Sequence, residues 1–472
     1  MYGGWRRRRS VGFAGLDGRQ SILLVMSLVV PLFAALVLGW ALALWLVPFA
    51  VLTAIGAVVS VRGVWVVDLA LALARYSLGR ARGQSQYRAQ LWAPWPRRGD
   101  LPGVLAPTHL LQADEAGRGP VGVVWNKQSG RMSATYLLSP GGALLADQEQ
   151  VSARVAGWGE TLAALADDTA ITHASVTIDL QPEVGTQLTD HVQARTAPTA
   201  PPLARQVVQE VVAAAPVTTT RIRARMTLTI NPMATRARDI PGGVAETLRS
   251  LGGLSLTAAG VDVLRRASAD DLVRIVRTAF DPAAEQVIDP DAWAQTDWAD
   301  AGPVSAQEEV SYYAHDGMYS ATWCLVEAPR QQVRHDVLMP LLAPGYFPRR
   351  VSILYRTLSR GEAGRLLARE KDAANARTYY QQKTGRDPSA RDDADAARAH
   401  QAAYEEAQGA GLVEFSIFVT TTVRTLEQLV EASREVEQAA SQSRLRLRPC
   451  WGGQAAAFAT GLGVAGLYPP EV

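Results

Sequence analysis

This chain is short of the residues that carry most catalytic chemistry. Cysteine occurs only at Cys324 and Cys450, and neither lies in a metal-ligand spacing. The histidines stand singly, with no H-x-x-x-H or H-E-x-x-H, so the spacing of a zinc site is missing. Lysine is scarce for a chain of 472 residues: Lys127, Lys371 and Lys383, none preceded by glycine. That excludes a phosphate-binding loop G-x-x-x-x-G-K-[ST], which needs glycine amides around the phosphates and a lysine to meet their charge. No G-x-G-x-x-G opens a helix after a strand, and no G-x-S-x-G elbow occurs. Adjacent acids such as Glu308-Glu309 and Asp392-Asp393 read as solvated charge. His315-Asp316 beside Tyr312-Tyr313 is the most chemical-looking cluster, but without a nearby nucleophile it reads as packing at a domain junction. No catalytic, cofactor-binding or metal-ligating residue is assigned. The expectation is a structural subunit and not an enzyme.

Charge is missing from the forty residues Ile22–Val61. As one helix they would measure about 60 Å, twice the roughly 30 Å hydrocarbon core of a bilayer. The stretch is therefore expected to reverse near Gly39-Trp40, with spans over Ile22–Leu38 and Ala41–Val61. Arg6, Arg7, Arg8 and Arg9 precede it and Arg62 follows it, so the positive-inside rule places both termini in the cytoplasm. A secretory signal has a shorter apolar region. A buried core pair would hold more polar residues than Ser27, Thr53 and Ser60. A single tilted span kinked at Pro31 and Pro48 would instead send the body across the membrane. Trp40 and Trp45 suit interface anchors at a turn, which favours a multi-pass hairpin in the cell (inner) membrane. In a cytoplasmic body both thiols stay reduced and pack as small hydrophobes. Net charge is only +2, yet residues 62–100 hold seven arginines against two aspartates. Beside a membrane that excess suits anionic lipid headgroups, and direct nucleic-acid binding is not expected.

The expected organisation is a basic leader (1–20), the transmembrane hairpin (21–62), and a juxtamembrane amphipathic helix with its linker (63–98). A first α+β domain (99–281), an acidic junction (282–310) and a second α+β domain (311–472) follow. The juxtamembrane helix covers Trp65–Arg82 and breaks at Ala93-Pro94-Trp95-Pro96. Alternation predicts strands at Val121–Asn126, Met132–Leu138, Ile171–Leu180, Thr218–Ile230, Met318–Glu327, Arg350–Thr357, Leu412–Thr422 and Leu445–Pro449. Helical spacing appears at Ala146–Ala166, Leu203–Ala214, Gly243–Leu251, Ala269–Ala279 and Leu426–Ser441. Residues 361–407 are charged and poor in apolar side chains, as in a projecting helical hairpin. The order of elements over Val351–Pro449, repeated less clearly over Val121–Leu180, predicts an α+β body of ferredoxin-like α/β layers.

Val351–Thr357 (VSILYRT), the Ala-rich stretch, Gly409–Thr422 (GAGLVEFSIFVTTT), Leu426–Ala440, Leu445–Pro449 and then Gly453-Gln454 with Phe458 carry a family likeness. They resemble the N-terminal, non-ATPase domain of the large ATPases of type IV secretion and conjugation systems; Tyr313–Ser320 (YAHDGMYS) is similar to the start of the same domain. The basic leader and two close spans resemble PrgI-like two-span subunits of conjugation machines. The resemblance implies an actinobacterial-type membrane subunit that docks a separately encoded P-loop ATPase and other secretion-channel subunits, in a homo- or hetero-oligomer. Tyr404, Trp451, Gln454 and Phe458 are its candidate docking positions. An EccE-type subunit of type VII secretion shares the two spans and large soluble domain. A membrane-bound enzyme of envelope biosynthesis is the remaining alternative.

Overall fold

The computed structural model describes residues 18–61, 64–89, 101–140, 147–184, 195–214, 218–369 and 412–469, less single positions, and isolated residues between these segments. Arg6, Arg7, Arg8, Arg9, Arg62, the 93–96 linker and most of 361–407 lie outside them.

The apolar run forms α1 (Gly18–Leu38) and α2 (Trp40–Val58), which fold back on each other. Gly39 separates them at φ 93°, a backbone region open mainly to glycine. At 1.5 Å per residue, the 21 and 19 residues give lengths of about 31 and 28 Å. α1 is long and apolar enough to cross a membrane; α2 is apolar over the shorter Leu44–Val58. Many of their large apolar side chains are exposed, Leu36 and Trp45 each 85%. A two-strand ribbon, β1 (Ser60–Val61) with β2 (Val64–Trp65), leads into α3 (Val66–Ala81) and β3 (Gln86–Arg88).

The body's first segment runs β4 (Thr108–Glu115), β5 (Gly119–Asn126), β6 (Met132–Pro140), α4 (Gln148–Asp167), β7 (Ile171–Val184) and α5 (Pro202–Ala214). It continues through β8 (Thr218–Ile230), α6 (Ile240–Gly253), β9 (Val261–Arg266), α7 (Ala269–Phe280) and α8 (Ala284–Val287). The second holds β10 (Ser305–Glu308), β11 (Tyr313–His315), β12 (Met318–Glu327), α9 (Met339–Leu342), β13 (Arg349–Thr357) and β14 (Val413–Val423). It ends with α10 (Leu426–Gln442), β15 (Arg446–Pro449) and α11 (Gln454–Gly461). The helices start where local chemistry lets them. Asp147, Asp239 and Thr425 accept from the amides of Gln150, Gly242 and Gln428, and Ser268 with Asp271 forms a capping box on α7.

The mixed α+β class is as expected, but strands from both segments join in a single sheet in place of separate layers. Among the described residues thirteen strands form an antiparallel sheet ordered β3-β10-β11-β12-β14-β13-β7-β8-β6-β5-β4, with β15 added on β12 and β9 on β6. The seam is β13 on β7, in register from Arg349 opposite Leu180 to Arg356 opposite His173. On either side of it the connections repeat. β6, β7, β8 and β9 lie in the order β7-β8-β6-β9, and β12, β13, β14 and β15 in the order β13-β14-β12-β15. A helix connects the first strand to the second, and another the third to the fourth, in both sets: α4 and α6, then α9 and α10.

Alternation fixes what each face buries. On β8, Ala224, Met226, Leu228 and Ile230 enter a core with Leu165 of α4 and Leu251 of α6. On β12 and β14, Ala321, Trp323, Ile417 and Val419 pack with Leu429, Ala432 and Val436 of α10. Each fully buried aliphatic side chain stabilises by roughly 1.5–3 kcal/mol relative to exposure. The opposite face is covered by α7, α11 and residues 462–467, around Leu272, Val276, Phe280, Phe458 and Leu462.

Candidate functional site

That second face is unusual in being lined by small hydroxyl side chains. Ser133 bonds Thr229 at 3.1 Å and Thr135 bonds Thr227 at 2.8 Å; across the seam, Ser320 bonds Thr422 at 2.7 Å and Thr322 bonds Thr420 at 3.0 Å. Both pairs of strands carry the same local sequence, Ser133-Ala134-Thr135 and Ser320-Ala321-Thr322. Short side chains let a backbone come close, and the C-terminal strap, residues 461–468, does so. Ser352 donates to the Gly461 carbonyl at 2.6 Å and Ser175 to that of Gly463 at 2.9 Å. Gly463 and Gly466 sit at φ 68° and 62°. A Cβ on Gly463 would collide with Thr177 Oγ1, and one on Gly466 with Ser133 Oγ. The strap thus crosses from one half of the sheet to the other.

At the seam under the strap lies an ion triad. Asp179 on β7 accepts from Arg350 Nε of β13 at 2.6 Å and from Arg225 of β8. Arg225 also donates to the Leu462 carbonyl of the strap at 2.7 Å. The guanidinium side chains are 3% and 9% exposed and the carboxylate 14%. Burial alone would raise the Asp179 carboxyl. The two arginines outweigh it and hold the group well below the usual carboxylate range. One charge cluster therefore fastens β7, β8, β13 and the strap together.

A second junction joins the apolar helices to the body. β3 pairs with β10, so the segment that leaves α3 becomes an edge strand of the sheet. Tyr76 of α3 donates to the Glu308 carbonyl at 3.2 Å, and Arg80 pairs with Glu309 at 2.6 Å. The turn at Trp451-Gly452 comes close to the same helix. A Cβ on Gly452, at φ 68°, would lie 3.2 Å from the Ala72 carbonyl oxygen. α3, expected to lie along a membrane surface, is thus also anchored to the body.

The docking positions expected from the sequence are scattered. Tyr404 is exposed at 61%. Trp451 is half-buried, in the turn near α3. Gln454 and Phe458 are interior, at 1% and 0% exposure, and neither can meet a partner on the surface of the folded chain. Gln454 accepts from Thr322 N at 2.9 Å and donates to Thr322 O at 3.3 Å, behaving as one more residue of the sheet. Phe458 packs its ring centroid 4.9 Å from Phe280 and 5.1 Å from His315. His315 Nε2 hydrogen-bonds Ser320 at 2.7 Å, an arrangement like a base and nucleophile. Both residues are shut inside, at 2% and 0% exposure, and burial pushes His315 down to about 4. Asp316 turns away, accepting from Val304 N at 2.7 Å and pairing with Arg277 at 2.8 Å. Among the described residues no group of three or more His, Cys, Asp or Glu is placed to hold a metal ion.

Sequence reasoning missed the triad and the strap. Their one local signal was the glycine spacing of Gly461, Gly463 and Gly466, which follows a helix and not a strand. It also missed that α5 carries an open apolar stripe, Leu203, Val207 and Val211 being 71%, 50% and 65% exposed. No family model matches the chain, and no curated protein matches it.

Proposed function

We propose that this chain is a non-catalytic membrane subunit of a type IV secretion or conjugative DNA-transfer machine, with α1 and α2 forming a transmembrane hairpin. Its body, in this reading, is a pair of ferredoxin-like units joined edge to edge, which holds a separately encoded P-loop ATPase at the cytoplasmic face. The observation that carries the proposal is the attachment of an apolar helix pair, through α3 and β3, to the edge of one continuous sheet. Such a joint transmits position from a membrane to a large protein surface. The repeated strand order on the two sides of the β7–β13 seam supports the paired-unit reading. The basic flanks of the hairpin support cytoplasmic termini and contact with anionic lipid.

Two measurements test this reading. A reporter active only in the cytoplasm should work when fused after Leu16 or after Pro94, and a fusion at Gly39 should behave as exported. An exported signal after Pro94 turns the body outward and ends the proposal. Second, a P-loop ATPase encoded beside this chain should copurify with it from detergent-solubilised membranes. Deleting residues 373–401 should then release that ATPase into the soluble fraction. Retention at the original level removes the insertion as the dock and makes the α5 stripe the next surface to truncate. Copurification with the subunits of a type VII machine, and no such ATPase, would favour the EccE-type alternative.

A further inference from the structure

The two cysteines, 126 positions apart in the sequence, meet in the fold. Cys324 on β12 stands opposite Arg448 of β15. The Cys450 amide donates to the Thr322 carbonyl at 3.0 Å, which extends the same pairing by two residues. Cys324 and Cys450 are therefore diagonal neighbours on one face of paired strands. Both pack into one small cluster with Leu354, Phe418 and Ala457. They pack as the small hydrophobes expected, and the fold also sets them side by side. They form the only pair of thiols the chain can make.

We propose that Cys324 and Cys450 are a reversible redox pair, oxidised to a disulfide by hydrogen peroxide or a low-molecular-weight disulfide, which clamps the start of the C-terminal strap to β12. The neighbouring Cys450 thiol, with help from the nearby Arg448 charge, draws the Cys324 thiol down to about 7 against the effect of burial. The Cys324 neighbour and burial push Cys450 up. With Cys324 as the attacking thiolate, Cys450 is the thiol that resolves. With peroxide, the Cys324 sulfur takes one oxygen as the O–O bond breaks, giving a sulfenic acid and hydroxide. The Cys450 sulfur then attacks the sulfenic sulfur, the S–O bond breaks, and its proton leaves with the departing hydroxyl as water. Two thiols lose two electrons, and the peroxide gains them. A disulfide restored by cellular thiols is the form expected of a sensing pair in a reducing compartment.

The clamp follows from where Cys450 sits. The next residues are the Trp451-Gly452 turn near α3, then Gln454 on Thr322, then the strap across the seam. Tying Cys450 to β12 restrains the point from which all of these diverge. The full-length protein in detergent, treated with hydrogen peroxide or oxidised glutathione, should lose both alkylatable thiols. Peptide mapping without reductant should then recover a Cys324–Cys450 cross-linked peptide, and dithiothreitol should restore both thiols. Hydrogen exchange of the amides of residues 451–468 should slow in the oxidised form. C324S and C450S should each abolish the cross-link and the slowing. Thiols that stay alkylatable, or that are capped singly by glutathione without cross-linking, overturn the redox pair. A cross-link that leaves exchange unchanged overturns the clamp.

Discussion

Asp179→Ala should lower the unfolding free energy of the detergent-solubilised chain by about 3–5 kcal/mol, the usual cost of removing one partner from a buried ion cluster. The size comes less from the attraction lost than from what remains. Arg225 and Arg350 would be left beside each other, both nearly closed to water, with their shared counter-charge gone. Replacing all three with apolar residues of similar size, Asp179→Leu with Arg225→Met and Arg350→Met, should cost much less than the single change. If the triple variant is as unstable as the single one, the triad is not an electrostatic unit. The pH dependence separates it from other buried groups. The Asp179 carboxyl is depressed in the folded chain, so its contribution is fully present above the unfolded value of about 3.9 and is lost as pH falls below that. His173 and His315 are held neutral by burial, at about 3 and about 4. Their unfolded forms bind protons from about pH 6.5 downward, so they drain stability earlier. Asp179→Asn should therefore keep the loss between about pH 6.5 and about pH 4 and blunt the loss below it.

The contrast between these groups shows what the sequence could disclose. Alternating runs such as Thr218–Ile230 and helical spacing such as Leu426–Ser441 are local, because pleat and helix pitch impose a period on neighbours. Those elements stand close to where the periodicity puts them, β14 and α10 among them. Short or even-handed strands were not legible. β9, with Val263 and Leu264 both open, and the three-residue β3 and β11 have too little pattern to announce themselves. The joining of the two halves was hidden for a different reason. β13 meets β7 across about 170 positions, and nothing in either strand's own alternation names its partner. The burial of two of the docking candidates was hidden in a related way. Gln454 and Phe458 lie after the last strand in a glycine-rich segment, where a polar residue and an aromatic look like surface features. Helix α11, which leads into the strap, carries them over a face that exists only once the sheet has formed, and they become interior.

That dependence gives the second large effect. Gly463→Ala should destabilise the chain by about 2–5 kcal/mol, from two separable causes. A side chain at φ 68° costs roughly 1–2 kcal/mol for the left-handed backbone. The added methyl must also displace Thr177 Oγ1, an overpacking cost of about 1–3 kcal/mol. The second cause is testable by itself, because Thr177 Oγ1 is buried and without a hydrogen-bond partner among the described residues. Thr177→Ala alone thus forfeits no hydrogen bond, and it removes the atom that the new methyl would strike. In a double-mutant cycle, Gly463→Ala with Thr177→Ala should recover the steric part and leave the backbone part. The recovered energy measures how tightly the strap lies on β7. A cycle with no coupling would mean that the strap lifts from the sheet to admit the methyl. In that event residues 461–468 are a loose cover, and the seam between the halves is held by β7, β13 and the Asp179 triad without them.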